Sequence, residues 1–77
     1  MLKFDLKKAL LNYEARTGIH LTYEALSSMT GIATDTIKSI ATRSNYNATF
    51  KAITEISRAL NVNPIEYFEW SVDLETN

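Results

Sequence analysis

The sequence predicts a compact all-α domain of five short helices, and three observations predict it. Only two glycines and one proline interrupt the 77 residues, apolar side chains recur at intervals of three and four, and each run is bracketed by residues that start or stop helices. A chain of this length supports one core, burying roughly 60% of the surface its unfolded form exposes. A hydrophobic fraction of 45% with 22% charged residues is that of a folded globular chain and too apolar for disorder. The helices are expected near residues 5–17, 23–30, 34–42, 50–60 and 64–68.

In the first of these, Leu6, Leu10, Tyr13 and Thr17 form a stripe beside Ala9, and Gly18 supplies a left-handed stop. The second starts at Thr22 as N-cap, with Leu21 and Leu26 at the two ends of a hydrophobic staple and Glu24 in the first turn, where the helix dipole favours an acid. Ala25, Leu26 and Met29 are its expected buried stripe, and Gly31 ends it. Ile32 and Ala33 lead into a third pattern, in which Ile37 and Ile40 face inward while Thr34, Asp35, Lys38, Ser39 and Thr42 face out. Residues 43–47 are polar and turn-forming, Thr49 can cap a fourth helix, and Phe50, Ile53, Ile56 and Leu60 give that helix its spacing, closed by Asn61. The fifth opens with Asn63 as N-cap, Pro64 at N1 and Glu66 at N3 as in a capping box. After Phe68 the period changes to alternation, with Phe68, Trp70 and Val72 against Glu69, Ser71 and Asp73. Leu2 and Phe4 alternate with Lys3 and Asp5 at the other end, compatible with a short two-stranded β ribbon joining the termini. The expected core is Leu6, Leu10, Leu26, Met29, Ile37, Ile40, Ile53, Ile56, Leu60 and Phe68.

Several functions are disfavoured by what is missing. Without cysteine there is no disulfide framework and no thiolate zinc site, and His20 has no second histidine to share a metal. No P-loop, GxSxG or HExxH is found and no nucleophile comes with a base, so no catalytic residue, cofactor, metal or small-molecule substrate is expected. No apolar run approaches the ~20 residues that span a bilayer, and residues 1–8 lack a signal-peptide core, so a cytoplasmic domain without membrane contact is expected. Charge is divided unevenly. Residues 1–60 carry eight bases against five acids, +3, and residues 61–77 carry four acids and no base, for a total of −1. A polyanion binder is usually more basic than this.

Helices two and three are joined by a tight turn containing glycine, and the second of the pair has a polar outer face. That is the arrangement with which a helix-turn-helix enters a DNA major groove ~12 Å wide. The run Leu21-Thr-Tyr-Glu-Ala-Leu-Ser-Ser-Met-Thr-Gly-Ile-Ala-Thr-Asp-Thr-Ile-Lys-Ser-Ile resembles the Cro- and phage-repressor-type helix-turn-helix, also called the xenobiotic-response-element family. The matching positions are Leu21-Thr22, Ala25-Leu26, Gly31-Ile32, Ile37 and Ile40. Thr49-Phe50, Ile53, Ile56, Ala59-Leu60, Pro64 and Phe68 are similar to the family's closing helices, so the likeness spans roughly residues 4–70. The helix-turn-helix unit is residues 22–42, within a domain of residues 1–70 followed by an acidic tail, 71–77. The chain departs from the family at Ala33, where a capping Ser or Thr is usual. It departs again at Ala41 and Arg43-Ser44, which replace a Glu and Gly, and at Asp35, where a basic reader is frequent.

The resemblance implies sequence-specific binding of double-stranded DNA by a small transcriptional regulator, a repressor, at a palindromic operator. Thr34, Asp35, Lys38 and Ser39 correspond to groove-facing positions. The hydroxyls could pair with either kind of base edge, Lys38 could meet guanine or phosphate, and Asp35 could accept from cytosine or orient Lys38 or Arg43. Thr22, Tyr23, Thr36, Thr42, Arg43, Asn45, Asn47 and Lys51 are the candidates for the DNA backbone, with Tyr23 alternatively shielding the core edge. Two-fold pairing, usual in the family, implies a homodimer, for which Tyr67, Trp70 and Val72 are the interface candidates. Folding of Trp70 onto the first helix or onto Leu2 and Phe4 is the alternative. The near-neutral charge and Asp35 also leave open a protein-interaction module, antitoxin-like, that keeps the fold with weak or no DNA binding.

Overall fold

The computed structural model describes residues 1–70. The order is strand β1 (Leu2–Phe4), helices α1 (Leu6–Thr17), α2 (Tyr23–Thr30), α3 (Thr34–Thr42) and α4 (Phe50–Leu60), a 3₁₀ turn (Pro64–Tyr67), and strand β2 (Phe68–Trp70). The molecule is mostly helical with a small antiparallel sheet. Val72 lies outside the described residues.

Helix ends form where short polar side chains take the orphan N–H groups. Asp5 accepts from Lys8 N–H at 3.0 Å, Thr22 from Ala25 N–H at 3.0 Å and Thr49 from Ala52 N–H at 3.0 Å. The stops at Gly18 and Gly31 are left-handed, with φ of 74° and 76°, and each glycine N–H returns to the carbonyl four residues back. Asn61 does the same work in α4 with φ 55°. Its N–H meets Arg58 O while Val62 N–H meets Ser57 O, a Schellman closure.

The expected fifth α-helix is a single 3₁₀ turn of four residues, so there are four α-helices among the described residues. Asn63 caps it through Ile65 N–H, but Glu66 does not complete the capping box. The reason is competition from the ribbon. Asp5 N–H takes Tyr67 O at 2.7 Å, and Phe68 pairs with Phe4, so the chain is extended before a second turn can form. The ribbon itself has the register Leu2↔Trp70, Lys3↔Glu69 and Phe4↔Phe68.

The core is built from Phe4, Leu6, Ala9, Leu26, Ile37, Ile40, Ala41, Ala52, Ile53, Ile56, Leu60 and Tyr67. Leu10 and Phe68 sit at its margin, half-buried. One residue of the expected core is at the surface. Met29 is 49% exposed, because the inward side of α2 runs through Tyr23, Leu26, Ser27 and Thr30. Ser27 and Thr30 tolerate that side because their hydroxyls donate to Ile32 O and Leu26 O. Phe50, the first residue of the apolar spacing in α4, is 84% exposed; the stripe that is buried starts at Ala52.

Tyr67, expected at a partner interface, is buried in the chain's own core, its ring edge-on to Phe4 at 6.4 Å. Phe68 meets the same ring at 5.7 Å. Its carbonyl accepts from Asp5 N–H at 2.7 Å, which holds Tyr67 against the start of α1 beside Phe4.

Ser57 is the exception to a core of apolar groups. Its hydroxyl is buried in α4 without a hydrogen-bond partner among the described residues. Ser57→Ala removes that unpaired group and improves helix propensity, and is expected to stabilise the domain by about 1 kcal/mol in urea titrations. Destabilisation would show that the hydroxyl has a partner in solution.

Candidate nucleic-acid interface

α3 buries Ile37, Ile40 and Ala41, and these three decide what it shows to solvent. At about 100° per residue, Asp35 and Thr42 fall opposite the buried stripe, with Lys38 and Ser39 on either side. Thr34 and Thr36 fall at the two margins. Burial agrees: Asp35, Lys38 and Thr42 are exposed, and Thr34, Thr36 and Ser39 are half-buried. The outer face therefore carries hydroxyls, one carboxylate and one ammonium, and no apolar side chain.

The turn before α3 consists of Gly31, Ile32 and Ala33. Ile32 packs against the core and so ties the turn to the interior. Ala33 occupies the N-cap position and makes no side-chain bond, so the cap is missing and has not moved to Thr34, which is the first helical residue.

The side chains of Asp35, Lys38 and Arg43 form no ion pair with one another among the described residues. Asp35 therefore does not orient either base by direct pairing. Thr42 is less available than its exposure suggests, because its hydroxyl proton goes to Lys38 O at 2.7 Å, leaving the oxygen as an acceptor. Thr22 already accepts from Ala25 N–H and keeps its own proton to donate.

The remaining backbone candidates fall into three places. Arg43, Asn45 and Asn47 are exposed on the loop after α3. Thr36 and Lys51 line one open groove of about 440 Å³ with Thr30, Thr49 and Glu55, between the turn and the start of α4. Thr22 and Tyr23 line a second, of about 420 Å³, whose apolar wall is Leu10, Leu11 and Leu21 and whose polar residues include Lys7, Glu14, His20 and Glu24. Tyr23 is half-buried against the core margin, so it shields the core edge while its ring borders this groove.

Three bases are committed within the protein. Lys3 reaches the carbonyls of Ile40 and Arg43, Arg16 reaches Leu60 O at 2.8 Å and Asn12 at 2.7 Å while lying over Tyr13, and Arg58 pairs with Glu55. Lys38, Arg43 and Lys51 are thus the uncommitted bases on or beside the α3 face. His20 pairs with Glu14 at 2.9 Å on the surface. No group of three or more metal-ligating side chains occurs among the described residues. No helix among them is long and apolar enough to cross a membrane.

Sequence reasoning missed Lys3, because its link to α3 spans 37 residues and no local pattern encodes it. Phe50, which shares the apolar spacing of α4 but was not expected in the core, is exposed in the first turn that Thr49 caps. Comparison with protein-family models, curated proteins and solved structures returns no match.

The uncapped start of α3 is open to improvement. Ala33 has φ −57° and ψ 141°, a conformation that suits a capping Ser. Ala33→Ser is expected to raise stability by about 1 kcal/mol, read from the urea midpoint. An unchanged midpoint would mean that the first N–H groups of α3 are already satisfied in solution.

Proposed function

We propose that this chain is a sequence-specific double-stranded DNA-binding protein that lays α3 in the major groove and regulates transcription by occupying an operator. The observation that carries the reading is the face of α3: a helix held by three buried side chains, entered by a tight glycine turn, with Asp35, Lys38, Ser39 and Thr42 outward and no apolar group among them. In this reading Lys38 and Ser39 read base edges, flanked by Thr34 and Asp35. Arg43, Asn45, Asn47, Lys51 and the residues at the start of α2 hold the phosphates. No catalysis, cofactor, metal or small-molecule substrate enters it, and it places the protein in the cytoplasm on the nucleoid.

A helix in one groove reads few base pairs, and three nearby bases add little non-specific affinity. Two-fold pairing would place two copies of α3 ~34 Å apart on one side of the duplex, at a palindromic site. With Tyr67 in the core, the exposed cross-strand pair Leu2 and Trp70, 53% and 74% exposed, is the apolar surface that fits a second copy.

One observation favours a second reading, a protein-binding module. The groove between α1 and α2 has an apolar wall of Leu10, Leu11 and Leu21, and Leu11 is 68% exposed there. Selection from a random duplex pool, followed by a salt series, separates the two. With Arg43 and Lys51 on phosphates, a DNA-binding protomer has a log–log salt slope of about −2, whereas a protein-binding module selects no sequence.

Lys38→Ala and Ser39→Ala are expected to weaken the selected site by about 1–3 kcal/mol with little change on random duplex. Arg43→Ala should weaken both alike and reduce the slope by about one. The opposite assignment of effects in a mobility-shift series would reverse reader and anchor.

Sedimentation tests the assembly. The wild type is expected to be a dimer at tens of micromolar and Trp70→Ala a monomer. A wild-type monomer that still binds its site would remove the two-fold arrangement.

A further inference from the structure

α3 differs from its neighbours at its C-terminal end. A helix leaves its last carbonyls without N–H partners. α1, α2 and α4 turn back on a left-handed Gly18, Gly31 or Asn61, whereas α3 runs out through Arg43 in extended conformation, with no basic residue in its last turn. Its final main-chain bond is Arg43 N–H to Ser39 O at 2.9 Å, which leaves the carbonyls from Ile40 onward open. Two of them are met from the other end of the chain: Lys3 Nζ donates to Ile40 O at 3.2 Å and to Arg43 O at 3.3 Å. A cation is favoured there by the helix dipole as well as by the hydrogen bonds.

Lys3 is not on a loose end. It is the central residue of β1, between Leu2 and Phe4, which pair with Trp70 and Phe68. Phe4 is buried, with Tyr67 and Phe68 edge-on to its ring. The ammonium is therefore carried by a strand anchored in the core. The residues it steadies are the ones that matter for recognition, since Lys38, Ser39 and Thr42 lie in the last two turns of α3.

We propose that Lys3 is a positioning residue for α3, holding the C-terminal half of that helix at a set place on the terminal ribbon. Its consequence for recognition rests on the DNA-binding reading above. One strand then serves both assembly and reading: Leu2 lies in the candidate partner surface, Lys3 holds the helix, and Phe4 fixes both to the interior.

Lys3→Met, Lys3→Arg and the charge control Lys8→Met test this in the full chain. Backbone amide exchange and binding to a selected and a random duplex are measured together. In Lys3→Met, the amides of Ala41, Thr42 and Arg43 are expected to exchange about two- to fivefold faster, beyond any change at the ends of α1 and α4; this is the range a cation at a helix C-terminus supplies. Affinity for the selected duplex falls severalfold, while the random duplex changes only as it does for Lys8→Met. Lys3→Arg restores both. Unaltered exchange in α3 overturns the proposal, and so does an equal loss on both duplexes matching Lys8→Met. A wild type that selects no duplex defeats the DNA-binding reading instead, and the exchange comparison still decides whether Lys3 holds α3.

Discussion

Leu6, Leu26, Ile37, Ile56 and Leu60 are the largest side chains that are fully buried, and every α-helix contributes at least one of them. Burying each stabilises the fold by about 1.5–3 kcal/mol, a large share of what a chain this small can gather. Because the helices are short, one or two such residues set the rotation of each about its own axis. Ile37, with Ile40 and Ala41 beside it, therefore determines not only that α3 packs but which of its side chains meet solvent. The polar face of α3 is a consequence of the core.

The ends of the helices obey a second constraint, satisfaction of the main chain. Asp5, Thr22 and Thr49 close the starts of α1, α2 and α4, and left-handed residues close their ends. α3 has neither device. Lys3 from the ribbon meets Ile40 O and Arg43 O at its C-terminal end, as Arg16 from α1 meets the last carbonyl of α4. Two of the eight bases thus act on carbonyls inside the protein, and a third, Arg58, is paired with Glu55.

The surface divides by chemistry as a result. The outer face of α3 and the loop after it are polar, whereas exposed apolar groups lie elsewhere: Leu2 and Trp70 on the ribbon, Leu11 and Ile19 around α1, Met29 on α2, Ile65 on the 3₁₀ turn and Phe50 at the start of α4. A face without apolar groups suits a hydrated polyanion, while paired apolar residues such as Leu2 and Trp70 suit a protein partner. The proposed division between reading and assembly follows that pattern.

The sequence by itself determined the four α-helices, the N-caps of α2 and α4, the left-handed stops and most of the core, because each depends on residues within a few positions of one another. Thr22 before Leu26, Gly31 before Ile37, and Asn61 after Leu60 act locally and could be read locally. The outward set on α3 was legible for the same reason, as the complement of Ile37 and Ile40. Only the tertiary structure decided what depends on distant partners. Met29 could be placed outward only once α2 was seated on its neighbours, and Tyr67 inward only once β1 lay beside β2. The last helix shortened to a 3₁₀ turn because Phe4 claims Phe68 from the far end of the chain. The grip of Lys3 on Ile40 and Arg43 has the same origin: it crosses about forty residues, and nothing short of packing brings those groups together.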